Sequence, residues 1–218
     1  MDRAISIFSS FFFGRSSQTS ASTWEAGELK SEALRKTLHF LIALVPGMAA
    51  IDRTATVIIL MIGTIGYTCM EYLRLSGVKV PLVSSLTSMA SRPRDYGRFV
   101  IGPVTLGLGA LLALLLYPSN AAAIAIYALA FGDGAASLVG KVFGRWRPAF
   151  LYGKSLEGSF ACFAMVLISA YAISGQLRVA LTAAFTAAVV EALPLKDYDN
   201  IAIPVTVGLA VQFSSIMF

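Results

Sequence analysis

In "AFGDGAASLVGKVFG" (residues 130–144), Asp133 stands between two glycines inside an otherwise apolar segment, with Lys141 eight positions on. On a helix that spacing sets the carboxylate about 12 Å inside the lysine. An Asp at the centre of a membrane span costs about 2.5–3.5 kcal/mol on insertion scales, so such a group faces a polar cavity or a partner. Two roles suit it. One is a buried ion pair or hydrogen bond that locks two helices. The other is a metal or phosphate site, where small neighbours leave room for a ligand. Mg²⁺ takes hard oxygens from one or two carboxylates together with phosphate oxygens.

Further polar residues gather at segment ends. "RPAFLYGKSLEGS" (147–159) sets Gly153, Lys154, Ser155, Glu157, Gly158 and Ser159 at the start of an apolar segment. Backbone N–H groups at a helix start favour anions, and Lys154 adds a point charge. The "GKS" lacks the upstream glycine spacing of a Walker A loop, and Ser155 or Ser159 could equally cap the helix. Arg35, Lys36 and His39 open the first segment; Arg35 and His39, four apart, share a helical face, so His39 is either a satisfied helix histidine or a phosphate contact beside Arg35 and Lys36. "EALPLKDYDN" (191–200) collects Glu191, Asp197, Asp199 and Asn200, a group denser than capping alone requires. The arrays "RPRDYGR" (92–98) and "KVFGRWR" (141–147) read as ordinary topology signal, with Arg94 and Arg98 as alternative nucleotide contacts.

These residues sit in a chain of 218 residues that is 57% hydrophobic and 13% charged, with a mean hydropathy of +0.75. Soluble domains are nearer 45–50% apolar and about 25% charged. The reading is an all-α, polytopic integral membrane helix bundle. Seven apolar segments follow one another, roughly 37–51, 54–73, 99–118, 120–140, 157–175, 178–193 and 200–217. The first and sixth are short for a span, which takes roughly 20 residues. Pro46 and Gly47 are expected to bend or end the first. Cys69 and Cys162 fall in apolar segments without disulfide or zinc spacing and read as buried core. Residues 1–34 read as an N-terminal tail; its apolar stretch "AISIFSSFFFGR" is too short to span and is either a loose tail or an interfacial segment.

With the N-terminus cytoplasmic, all of the 17 Lys and Arg residues except Arg53 and Arg178 fall on one side of a seven-span arrangement. That asymmetry is the positive-inside pattern. The net charge of +5 therefore reports topology, and nucleic acid is not an expected partner.

"RKTLHF" (35–40), "GDGAASLVGKVFG" (132–144), "GKSLEGS" (153–159) and "EALPLKDYDN" (191–200) occur in that order. Together they resemble the polyprenol kinase family, which includes dolichol kinase, phytol and farnesol kinases and the yeast-type CTP-dependent diacylglycerol kinase. The resemblance covers roughly 35–218, which would then be a transmembrane lipid kinase domain. It implies transfer of the γ-phosphate of a nucleotide, typically CTP, to the hydroxyl of a membrane lipid, with Mg²⁺. The family's Arg-Lys pair falls on Arg35 and Lys36, its Gly-Asp on Gly132 and Asp133, and its basic position on Lys141. Its Lys–Glu-Gly element falls on Lys154, Glu157 and Gly158, and its terminal acidic-Asn element on Glu191, Asp199 and Asn200.

Phosphoryl transfer rests on charge positioning. Arg35, Lys36, His39, Lys141 and Lys154, with Ser155 and Gly158, are the expected nucleotide and phosphate contacts. Asp133 with Glu191, Asp199 or Asn200 would hold Mg²⁺. Asp133 or Glu157 would accept the hydroxyl proton. The nucleotide would arrive from the cytoplasm and the lipid alcohol, diacylglycerol or a prenol, laterally from the membrane.

Two alternatives differ in class. Phosphatidate cytidylyltransferase, which makes CDP-diacylglycerol, is distantly similar through the central Asp and the K-x-x-E-G region. Its usual closing signature includes a Pro-Gly-His-Gly-Gly run, whereas this chain ends "LKDYDNIAIPVTVG" and has one histidine. A non-enzymatic lipid or ion transporter would favour inverted repeats and broken helices at mid-membrane; here no convincing inverted repeat is present and the polar residues gather at one face.

Overall fold

The computed structural model describes residues 36–37, 39–78, 80 and 97–216. The tail, Arg35 and Arg94 lie outside these residues. Every regular element among the described residues is helical. Seven helices result: α1 Leu41–Ile51, α2 Arg53–Leu75, α3 Gly102–Leu116, α4 Ser119–Val142, α5 Leu156–Ser174, α6 Leu177–Ala192 and α7 Asp199–Ile216. Helical residues at 36–37 and 39–40 lead into α1. Three helices, α2, α4 and α5, are long and apolar enough to cross a membrane.

Short connections join α1 to α2, α3 to α4 and α5 to α6. Asp52 caps α2, its carboxylate accepting from Ala55 N at 2.9 Å. Gly175 closes α5 at φ 64°, a left-handed position that suits glycine. At this end of the bundle the Arg53 guanidinium donates to the carbonyls of Leu114 and Tyr117, and Tyr117 Oη donates to Val205 O at 2.5 Å. Pro46 does not end α1. It sits in the first turn of an α-helical stretch, Val45–Ile51, that continues from a 3₁₀ turn at Leu41–Leu44. A proline is tolerated in a first turn because the N–H it lacks would have no partner there.

The packing places small side chains inside and large apolar ones outside. α4 is central, and α5, α6 and α7 follow one another around it; α3 packs on α7, and α2 lies at the edge on α3. Ala110, Ala113, Ala125, Ala128, Ala180 and Ala183 are fully buried, whereas Ile62, Phe160, Ile168, Phe185 and Phe213 are exposed. Small residues let helix backbones approach closely, which is how helices gain contact when their outer surface meets hydrocarbon. Cys162 is buried as expected, but Cys69 is exposed on the peripheral α2.

The tightest approach joins α3 to α7. A Cβ on Gly109 would lie 1.9 Å from the Asn200 carbonyl oxygen, so backbone fills the space a side chain would need. Gly109→Ala is therefore expected to cost about 1–3 kcal/mol through overpacking. Gly63→Ala, on α2 with nothing within 4 Å of the new Cβ, should leave stability unchanged or raise it by up to about 1 kcal/mol. Thermal melting of both variants in detergent checks the contrast; equal melting would mean the α3–α7 contact is looser than described.

Candidate functional site

The residues that lead into α1 are held by α4. Lys36 Nζ donates to Asp133 Oδ2 at 2.8 Å, and Phe40 packs on Phe131 with ring centroids 6.2 Å apart. His39 Nε2 donates to the Leu129 carbonyl at 2.8 Å and lies 3.4 Å from Asp133 Oδ2. A carbonyl can only accept, so Nε2 carries the proton. Lys36, His39 and Asp133 are all buried.

α4 contains a π-helical turn, Ala128–Asp133, that ends at this carboxylate. Such turns are rare and widen the helix locally. The glycines beside Asp133 serve close approach: a Cβ on Gly132 would meet Val166 at 2.7 Å, and one on Gly134 would meet the Phe40 ring at 2.5 Å. Both helices that flank Asp133 are thus drawn against it.

A cavity of about 590 Å³ opens beside Asp133. Lys36 and His39 line it from the start of α1, Lys141 from α4, Lys154 and Ser155 from the loop before α5, and Gly158 from α5. Glu191 at the end of α6 and Asp199 and Asn200 at the start of α7 also line it. Ten of the twelve expected site residues therefore share one cavity, with Arg35 outside the described residues and Glu157 elsewhere. The Glu157 carboxylate accepts from the backbone N–H groups of Arg145 at 3.0 Å and Trp146 at 3.1 Å. It folds the 145–157 loop back on α5 and does not line the cavity. Ser155 is the α5 cap, its Oγ accepting from Gly158 N at 3.1 Å. The exposed Arg98 does not line the cavity either; its carbonyl accepts from Arg74 at 3.0 Å.

The four expected metal ligands separate into different roles. Glu191 pairs with Lys154 Nζ at 3.0 Å and accepts from Ser159 Oγ at 3.2 Å; Lys154 also donates to the Glu191 carbonyl. Asn200 turns its amide nitrogen to Thr105 Oγ1 at 3.0 Å. Asp133, whose Oδ2 is paired with Lys36, and Asp199 are two carboxylates lining one cavity. Among the described residues no group of three His, Cys, Asp or Glu side chains could hold a metal ion. Mg²⁺ needs only one or two carboxylates when phosphates supply the rest, and a divalent cation would relieve the mutual repulsion of this pair. The donor set fits Mg²⁺ on those terms.

Arg147 is a site residue that the sequence reading left among topology signals. It lines the cavity and donates to Gly153 O at 2.6 Å and Gly140 O at 2.7 Å. It thereby staples the loop carrying Lys154 to the end of α4. Its only sequence signal was its place six residues ahead of Gly153, in a run of basic residues.

No family model matches the chain, and no solved structure matches it. The chain is 25% identical over 184 residues to MJ1137, an uncharacterized protein of Methanocaldococcus jannaschii, across 83% of this chain and 93% of that protein. It is a distant homologue similar along nearly its whole length.

Proposed function

We propose that the chain is a multi-pass membrane lipid kinase. It moves the γ-phosphate of CTP to the hydroxyl of diacylglycerol or of a prenol such as phytol or farnesol. The observation that supports this best is the cavity itself. Its lining combines Lys36, Lys141, Lys154 and two carboxylates with an uncharged set from α2 and α3 that includes Tyr67, Pro103 and Leu106. A triphosphate and a lipid alcohol need those two surfaces together. CTP as the donor rests on the family resemblance.

In this reading all seven helices span, with the N-terminus and the cavity end cytoplasmic. The shorter helices are accommodated by tilt or local thinning of the bilayer. Lys36, Lys141 and Lys154 neutralise the triphosphate, and Arg147 holds the Lys154 loop in place. Asp199 would hold Mg²⁺ beside Asp133, and the ion would screen the charge of the phosphates. The lipid hydroxyl oxygen attacks the γ-phosphorus, the bond to the β-phosphate bridging oxygen breaks, and CDP leaves. The hydroxyl proton passes to the Asp133 carboxylate, whose contacts to Lys36 and His39 both use Oδ2.

γ-Labelled CTP or ATP, Mg²⁺ and each alcohol in mixed micelles with purified protein test the reaction. Label is expected in one lipid, with CTP the better donor. Label that enters phosphatidate only from cytosine-labelled CTP would make the chain a cytidylyltransferase, and silence in both assays would favour a transporter.

Asp133→Asn should cut turnover by at least about 100-fold. Glu157→Gln should lose about 1 kcal/mol of stability through its weakened backbone contacts. With each variant's folding checked by its melting curve, turnover separates the two roles: Glu157→Gln should keep turnover close to that of the parent, and a loss as deep as that of Asp133→Asn would return Glu157 to the chemistry.

For topology, a background lacking Cys69 and Cys162 is given single cysteines at Ser76 or Gln176. A membrane-impermeant thiol reagent should reach Ser76→Cys from the cytoplasmic face and Gln176→Cys from the opposite one. Labelling of both from one face would remove the odd number of spans between them.

A further inference from the structure

The cavity is asymmetric in a way the phosphate chemistry does not require. Its charged lining comes from the start of α1, from α4, from the loop before α5 and from the α6–α7 connection. Its other wall, from Tyr67 on α2 through Val100, Ile101, Pro103 and Leu106 to Gly107, bears no charge.

The two walls belong to different packing units. The residues that lead into α1 are fixed to α4 through Lys36–Asp133 and His39–Leu129. The Leu41–Leu44 turn packs on α3 and α4. α2 instead packs along α3, where a Cβ on Gly107 would meet Thr64 Oγ1 at 2.2 Å, and it meets α1 along Val45–Ile51, at the far end. Among the described residues, the α1–α2 hairpin is therefore joined at Asp52 and parted at the cavity. Ile42 and Tyr67 line the cavity from either side of the parting. α2 is the most exposed of the three long apolar helices, with Ile58, Ile62 and Ile65 on its outer surface. The Thr64–Gly107 contact closes the uncharged wall from below, so a chain lying on it must leave sideways.

Resting on the lipid kinase reading, we propose that the parting between α1 and α2 is the acceptor's portal. The first carbons of its hydrocarbon chain lie on Tyr67, Val100, Pro103 and Leu106, the rest of the chain passes between Ile42 and Tyr67 into the bilayer, and the hydroxyl points to Asp133. Acceptor choice is then set by the bulk of the carbons nearest the hydroxyl, which lie on this wall, and not by total chain length.

Photolabelling reads the subsite whether or not phosphate is transferred. The full chain in phosphatidylcholine vesicles receives a diacylglycerol whose acyl chain carries a diazirine close to the ester. Most label is expected in the peptides that contain Ile42, Tyr67 and Pro103–Leu106, and excess unlabelled diacylglycerol should displace it. Label spread over outward residues such as Ile58, Phe160 and Phe185, and not displaced, overturns the proposal.

Leu106→Trp fills the wall and should raise KM for the lipid at least about tenfold while KM for CTP holds. Leu106→Ala should instead widen acceptor choice toward bulkier alcohols. Equal effects on lipid and CTP, in both variants, also overturn the portal. A protein labelled at these peptides that transfers no phosphate keeps the subsite and removes the kinase. A kinase labelled elsewhere does the reverse.

Discussion

A charge removed from water must be met by another charge, and Asp133 imposes that condition on the whole bundle. Its carboxylate sits in the middle of the most buried helix. An uncompensated ion there is far costlier than any single apolar contact can offset. Lys36 meets it at 2.8 Å, and to do so the residues ahead of α1 must lie against α4. Breaking a buried pair by removing one partner costs about 3–5 kcal/mol, which is a large share of the marginal stability of a domain. The place of α1, and with it one wall of the cavity, follows from this pairing.

Close packing provides the frame in which that pairing is possible. The buried alanines of α3, α4 and α6 let helix axes approach, and glycines at the critical contacts remove the last methyl group. Large side chains would fill the interior and leave no cavity. Here they are displaced to the outside, as in helices whose outer surface faces hydrocarbon. The same economy of side-chain volume accounts for the close approach at Thr64–Gly107 and at the α3–α7 contact at Gly109.

Helix positions were legible from the sequence because apolar runs and their polar punctuation are strong local signals. Asp52, Pro118 and Gly175 mark ends through their own backbone chemistry. The gathering of Lys36, Asp133, Lys154, Glu191 and Asp199 at one end was legible too, since alternating helices bring every second connection together. What could not be read was how the polar groups choose partners. Glu191 goes to Lys154, Asn200 to Thr105 and Glu157 to two backbone N–H groups. Such choices are settled by distances between helices remote in sequence. The Arg147 staple was hidden for the same reason, since its carbonyl partners leave no mark in residue type.

The π turn in α4 also sets a phase. A π turn takes up one residue more than an α turn, so the helix after Asp133 is rotated by about 100° relative to an unbroken α-helix. Before the turn, α4 is almost wholly buried; after it, Ala136, Ser137, Gly140 and Lys141 all line the cavity. One chain segment thus runs as two helices out of step, the first belonging to the core and the second to the aqueous mouth. Loss of a single residue between Ala128 and Asp133 would bring the halves back into step, swing Lys141 off the mouth and carry an apolar side chain into it. The length of this segment is therefore constrained more tightly than its composition, and an insertion or deletion here would be far more disruptive than most substitutions.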